Sequence, residues 1–393
     1  MPADSKRRIV LVHDPKEELF LGVLHPDAAL FADYLDVREA NREHRHFQHV
    51  LDKCGFDVKT VREVLVEGTL DRKGKPVPGK ALDELRDFAA DFLDYEEGDT
   101  IDAAEQEKYK AQVLKKAHPI DLLNIILNRP KIILHTTEDN TGFSADYVMR
   151  PMMNLLFTRD SMISTKRGIV IGRLHSPQRR GERLVGEFCL RKLGIEPIFK
   201  IPGEHYLEGG DYILCGNVSF IGCGMRTTRP AIDMMLEADV FGSDKVVVVN
   251  DRLHDQAQMH LDTYFNMIDT DLGMLAANRF MARPGDDAFL TVDVYERKGG
   301  KYVLALIDEP FLKYLASQGV EVIPISEADS NSFGTNFLPV APREIIAVSK
   351  KSAAYRNALR KHGVTAHWVD LTHCTKGYGA AHCLSQVIKP VEK

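Results

Sequence analysis

The segment from Thr372 to Cys383 reads THCTKGYGAAHC and holds two His-Cys pairs, His373–Cys374 and His382–Cys383. Imidazole beside thiol suggests a metal site, a disulfide partner or a reactive nucleophile. Zinc motifs pair their ligands roughly two to four residues apart, and neighbouring side chains on extended backbone point in opposite directions, so the spacing argues against a metal. A Cys374–Cys383 disulfide is equally poorly supported, because six cysteines are sparse for 393 residues. Two readings stay open for Cys383. One is a buried, inert thiol. The other is a nucleophile on a loop of small residues, GYGAA, that lets a ligand come close.

Three further segments concentrate polar residues beside apolar runs: MMNLLFTRD (152–160), LEGGDYIL (207–214) and HLDTYF (260–265). His260 and Asp262 are two residues apart, which on a strand places both side chains on one face. There they could serve as a base and a holder of a cation. In EGGD, two glycines between Glu208 and Asp211 let the chain bend or a ligand approach. Each segment also has a plain reading: a surface His and Asp, a solvated turn, or an Arg159–Asp160 surface ion pair. Together they say more. A cysteine nucleophile needs a histidine from elsewhere in the chain, and His260 supplies one. Asp160, Glu208 and Asp262 are more negative charge than a protease site needs. They suit a cationic substrate rich in N–H donors, and a guanidinium pairs with carboxylates through its planar fork.

The chain that must position these groups is 44% hydrophobic and 27% charged, with a formal net charge of −6. This is the composition of a soluble globular protein with no sign of a nucleic-acid partner. No apolar run approaches the roughly 20 residues that span a bilayer, and the N-terminal MPADSKRRIVLVHD lacks a signal-type apolar core. A reducing, cytoplasmic compartment is expected. Short Val/Ile-rich runs at 8–13, 131–136, 168–172, 218–222, 245–250, 289–295, 302–307, 320–326 and 344–349 predict buried strands. Between several of them lie helical stretches at 229–238, 309–319 and 352–363, the last two closed by glycine. Residues 80 to 128 read as consecutive helices without a strand between them, after an exposed loop at 72–80. An α/β body with a helical insertion at about 75–130 is expected, with no repeat visible by residue identity.

The set NLLFTRD, EGGD, GMRT, HLDT and a near-terminal HC, in this order and spacing, resembles the arginine deiminases of the guanidino-modifying superfamily. The similarity runs from LHPDAALFAD, beginning at Leu24, to the end of the chain. It implies a five-bladed α/β propeller of the pentein type, with pseudo-fivefold ββαβ repeats, an active site on the axis and a helical insertion. The 393 residues would then form a single catalytic domain. It implies Cys383 as nucleophile, His260 as acid and base, and Asp160 and Asp262 as holders of the guanidinium. Glu208 would touch both substrate and His260. Arg179 and Arg226 would bind the α-carboxylate, and Asn154 and Phe157 would line the pocket. In the loop KGYGAAHC, Tyr378 and two alanines stand where some relatives carry arginine or glycines.

The resemblance implies a reaction as well. L-Arginine is hydrolysed to L-citrulline and ammonia through a Cys383 thiouronium adduct, without metal or organic cofactor. A bound cation beside Cys383 favours the thiolate, against the neighbouring carboxylates. Agmatine deimination, release of an alkylamine and amidine transfer are reactions of the same superfamily, and a catalytically dead binding protein is the rival of another kind. Arg179 and Arg226 favour an amino-acid substrate over agmatine. A homo-oligomer is expected, with no nucleic-acid or membrane partner.

Overall fold

The valine run KVVVVN forms the strand Lys245–Asn250, whose four valines are fully buried. β-Branched residues fit a pleated surface covered on both faces, and here the strand pairs parallel with Val218–Cys223 and antiparallel with Thr291–Lys298. The computed structural model describes residues 8–96, 102–138 and 141–388. Among these residues it is a mixed α/β structure of six sheets, and five of them contain the same arrangement. Two antiparallel strands are followed by a helix and then by a strand parallel to the second of the pair.

The first such unit is Met162–Ser164, Ile169–Ile171 and Phe199–Lys200, with helix Arg180–Lys192 in the crossover. The second is Tyr212–Cys215, Val218–Cys223 and Lys245–Asn250, with helix Arg229–Glu237. The third is Phe265–Asp269, Leu272–Ala276 and Glu321–Ile325. Its crossover contains a long hairpin, Thr291–Lys298 and Lys301–Pro310, that extends the second unit's sheet. The fourth is Leu338–Ala341, Glu344–Ala347 and Thr365–Trp368, with helix Ala353–Lys361. The fifth joins both ends of the chain. Gln386–Ile388 pairs antiparallel with Ile9–Val12, which pairs parallel with Asp57–Thr60 across helix Val37–Lys53.

All nine expected strands and the three expected helices are present, with ends shifted by a few residues. The stretch expected to be helical from 309 begins instead as strand through Pro310, because the hairpin partner Thr291 extends to it. Residues 80–128 also differ from expectation. Helices Lys80–Ala90, Ala103–Lys116 and Pro119–Asn128 are there, but strand Asp94–Glu96 lies between the first two. It pairs with Pro130–Thr136, which pairs with Phe143–Met149. Three residues, DYE, are too few and too polar to announce a strand; the partner imposes it. Gly319 and Gly363 follow their helices with φ of 75° and 68°, the left-handed conformation that ends a helix with least strain in glycine.

No helix among the described residues is long and apolar enough to cross a membrane.

Candidate active site

Just before its first strand, each unit makes a tight turn. The turns are Thr158–Ser161, Gly209–Asp211, Leu261–Tyr264, the segment around Asn336, and the segment around Cys383. They are linked in a ring. The Arg159 N–H donates to the Cys383 carbonyl (3.3 Å) and the His382 N–H to the Asn336 carbonyl (3.1 Å). Asn336 Nδ2 donates to the Asp262 carbonyl (3.3 Å), and the Leu261 N–H to Asp211 Oδ1 (2.9 Å). Gly209 closes the ring, since a Cβ there would stand 2.0 Å from the Arg159 carbonyl oxygen. Gly210 is constrained by a side chain: its Cβ would stand 2.6 Å from His260 Nδ1. The two glycines of EGGD are thus required by close approach, and the carboxylates beside them are buried rather than solvated.

The ring brings together the residues singled out in the sequence. A narrow cavity is lined by Asn154, Phe157, Asp160, Arg179, Arg226, His260, Tyr378 and Cys383. Cys383 is 3% exposed, and its Sγ lies 3.4 Å from Asp262 Oδ2. His260 Nε2 is 2.7 Å from Glu208 Oε2, and its Nδ1 is 3.8 Å from Asp160 Oδ1. The expectation that His260 and Asp262 share a strand face is not met. His260 is an extended residue capping the one-turn helix Leu261–Tyr264, and Asp262 sits within that turn. Nor is Arg159–Asp160 a surface ion pair: Arg159 is buried, and its Nε donates to the His382 carbonyl at 2.6 Å.

Arg179 and Arg226 reach the cavity with different commitments. Arg179 donates to Asp160 Oδ2 (2.9 Å), to both oxygens of Glu182 (3.0 and 2.8 Å) and to the Asn154 carbonyl (3.4 Å). Arg226 donates only to Gln256 Oε1 (3.0 Å), lies 4.0 Å from Glu208 Oε1, and leaves its buried Nε without a partner among the described residues. Asn154 Nδ2 holds the Ala29 carbonyl at 2.9 Å. Phe157 packs against the loop so closely that a Cβ on Gly377 would stand 2.5 Å from its ring. Tyr378, between two glycines, adopts the left-handed conformation at φ 66° and faces the cavity.

The electrostatics divide the site in two. Burial alone would lower the His260 pKa, but Asp160 and the hydrogen bond to Glu208 raise it to about 9. Burial would raise Glu208, yet the His260 bond and the nearby cations hold it at about 2. This half is an imidazolium–carboxylate pair at neutral pH. In the other half, burial pushes the Cys383 thiol well up, helped by Asp262 and Asp160 and opposed by Asn336 and Arg159. Burial and then Arg159 push His382 down to about 4, so it is a neutral donor through Nδ1 to Asp262 Oδ2 at 2.7 Å.

Two buried carboxylate oxygens, Asp160 Oδ1 and Asp262 Oδ1, have no hydrogen-bond partner among the described residues. An unsatisfied buried acceptor costs about 1–3 kcal/mol, more when charged. A planar cation with several N–H groups would satisfy both. By geometry Asp160, Glu208 and His260 could also hold a metal ion, their donor atoms lying within 4.8 Å of one another.

A family model described as arginine deiminase matches residues 27–389. The chain belongs to the arginine deiminase family. It is 26% identical over 402 residues to the arginine deiminase of Metamycoplasma arthritidis, covering 96% of this chain and 92% of that one. It is 26% identical over 412 residues to that of Limosilactobacillus fermentum, covering 97% and 95%. Among solved structures, the N-terminal domain of ArgZ, a cyanobacterial arginine dihydrolase, aligns with a TM-score of 0.59 at 15% identity, over 98% of this chain and 99% of that one. A dimethylarginine dimethylaminohydrolase from Pseudomonas aeruginosa aligns with a TM-score of 0.56 at 15% identity, over 97% and 99%. These two likenesses are of fold.

Asn336 escaped the reading of the sequence, although it is fully buried beside Cys383. Its Nδ2 donates to Cys383 Sγ (3.1 Å), while its Oδ1 accepts from Ala380 N (2.8 Å) and Cys383 N (3.2 Å). The usable signal was positional. Asn336 precedes the strand Leu338–Ala341 as Asp160 precedes Met162–Ser164. Glu182 and the link from His382 to Asp262 were missed as well. By contrast, His373 and Cys374 belong to packing: their N–H groups donate to Glu43 on helix Val37–Lys53.

Proposed function

We propose that the protein hydrolyses the guanidinium of free L-arginine to L-citrulline and ammonia. The observation that carries this reading is the pair of unsatisfied oxygens, Asp160 Oδ1 and Asp262 Oδ1, belonging to a carboxylate that lines the cavity with the buried Cys383 thiol and to one whose other oxygen lies 3.4 Å from its sulfur. The guanidinium donates to both and lies flat with its carbon facing sulfur, the orientation that makes attack effectively intramolecular. Its charge offsets the carboxylates that keep the thiol protonated, so thiolate forms when substrate is bound. The Asn336 N–H donates to that thiolate. Sulfur attacks the guanidinium carbon, the C–N bond to one terminal nitrogen breaks, and His260 gives that nitrogen its proton, releasing ammonia and leaving a thiouronium on Cys383. A water molecule then loses a proton to His260 and adds to the same carbon. The C–S bond breaks, citrulline leaves, and the site returns to its starting protonation. Glu208 holds His260 in place and keeps it cationic for the first half. No step draws on a metal or organic cofactor.

The α-carboxylate of the substrate goes to Arg226, whose Nε has no hydrogen-bond partner among the described residues and whose Nη1 has only the 4.0 Å approach to Glu208 Oε1. Arg179 fixes Asp160 and lends its one remaining Nη1–H to the same end of the cavity. Agmatine has no group for these donors and is the poorer substrate. Tyr378 closes the cavity with its phenol.

The wider arrangement follows the same reading. The five ββαβ units are the blades of one propeller and the ring of turns is its axis, supported by the hydrogen bonds that link each turn to the next. Residues 1–393 are a single catalytic domain in which 75–130 are inserted between the fifth blade and the first. The enzyme works in the cytoplasm as a homo-oligomer. A colorimetric citrulline assay with arginine and with agmatine tests the activity. Citrulline from arginine, abolished in Cys383→Ser, is the expected result. No citrulline, or a faster reaction of agmatine, would overturn the assignment.

A further inference from the structure

Away from the cavity, a second group of chemically capable side chains has no role in this reaction. Cys54, Glu344 and His367 place a sulfur, a carboxylate oxygen and an imidazole nitrogen within 4.8 Å of one another. All three are half-buried, and none lines the cavity. They come from rigid pieces of two different units. Glu344 and His367 lie on neighbouring parallel strands in the register Glu344↔Thr365 and Ile346↔His367. Residues two apart on a strand share a face, so these side chains project from the same side of the sheet. Cys54 caps the end of helix Val37–Lys53, its N–H bonded to the Val50 carbonyl at 2.9 Å, and Gly55 turns the chain away at φ 87°.

We propose that Cys54, Glu344 and His367 form a second, non-catalytic site for a borderline-soft divalent cation of the zinc class, with water as the fourth ligand.

Three points of chemistry support the choice. One thiolate, one imidazole and one carboxylate is a donor set that suits zinc and not a hard oxygen-seeking cation. Tetrahedral bonds of about 2.0–2.3 Å need donors separated by less than 4 Å, a small contraction from the spacing present. The charge also closes: thiolate and carboxylate balance a dication, with the imidazole neutral. Binding requires Cys54 to lose its thiol proton to solvent. It also requires the proton that His367 Nε2 shares with Glu344 Oε1 at 2.5 Å to move to Nδ1. The nearby cation Arg8 is engaged elsewhere, over the Phe56 ring at 4.5 Å and on the Val340 carbonyl. Burial and then Glu344 raise the Cys54 thiol, which a dication would reverse. A bound ion would tie the helix of the fifth unit to the sheet of the fourth.

The test uses cobalt(II) as a spectroscopic substitute, in full-length Cys383→Ser protein stripped with chelator, so that the active-site thiol cannot contribute. A sulfur-to-cobalt charge-transfer band saturating at one equivalent is expected, displaced by zinc. Adding Cys54→Ser should remove the band, and His367→Ala should weaken zinc binding by ~10-fold or more, measured by calorimetry. With Cys383 intact, Cys54→Ser should leave arginine turnover unchanged while zinc no longer raises the melting temperature. A band that survives Cys54→Ser, or zinc binding indifferent to both substitutions, would overturn the proposal.

Discussion

Asn336→Ala is the substitution on which the geometry makes its firmest demand. The side chain is fully buried and does three jobs: Nδ2 donates to Cys383 Sγ at 3.1 Å and to the Asp262 carbonyl at 3.3 Å, and Oδ1 accepts the N–H groups of Ala380 and Cys383. A hydrogen bond to a charged group contributes about 1.5–3 kcal/mol, so its loss should raise the thiol pKa by ~1–2 units at 1.36 kcal/mol per unit. The thiolate available in the substrate complex should fall ~10–100-fold, and kcat with it, while KM changes little, since Asn336 does not line the cavity. The same change orphans two buried N–H groups at about 1–3 kcal/mol each, a large part of a typical folding stability. Asn336→Asp is therefore the companion variant, because its carboxylate still accepts from both N–H groups but brings no N–H to sulfur. Citrulline kinetics and the pH dependence of Cys383 alkylation by iodoacetamide should be measured for both, below their melting temperatures. Both variants should react more slowly and titrate higher. If folded Asn336→Ala alkylates with the wild-type pH profile, the N–H···S contact does not stabilise the thiolate and the reasoning is wrong.

Other outcomes follow from the same site. Cys383→Ser should lose essentially all turnover while still binding arginine, whereas Cys54, Cys189, Cys215, Cys223 and Cys374 can each be replaced with losses of stability only; full activity in Cys383→Ser would refute the mechanism. Arg226→Ala should lose roughly 1–3 kcal/mol of transition-state binding for arginine and little for agmatine, read as kcat/KM on both substrates. His260 should titrate near pH 9 by NMR and fall toward its ordinary range in Glu208→Gln. Because His260 is raised and Glu208 is lowered in the folded state, the stability this pair contributes is complete between about pH 4.5 and 6.5, is lost as pH rises through about 9, and is lost at the acid end as pH falls toward about 2. The melting-temperature gap between wild type and Glu208→Gln should narrow on both sides of that plateau, and a constant gap would count against the pairing. Tyr378→Ala should raise KM for arginine and expose the 376–382 loop to limited proteolysis equally with and without substrate; unchanged kinetics would leave Tyr378 no part in closure.

Much of this protein is legible in the order of its residues. Strands such as Lys245–Asn250 are β-branched runs that only a buried sheet accommodates, and Gly319 and Gly363 mark helix ends because few other residues take a positive φ easily. The chemistry of the site is legible too, since a thiol, an imidazole and three carboxylates in separate segments point to a cationic substrate before any geometry is known. What the tertiary structure alone decided are the relations between groups far apart in the chain. His382 meets Asp262 across 120 residues, Asn336 meets Cys383 across 47, and Ile9 pairs with Ile388 to build a sheet from both termini. Local propensity carries no information about such pairs, because their energy exists only once the units are packed. Asp94–Glu96 becomes a strand for the same reason: Pro130–Thr136 offers it an edge. Asn336 is the sharpest case. An uncharged residue in SFGTNF carries no chemical signature of its own, and it gains one only where five turns converge and place its amide against sulfur.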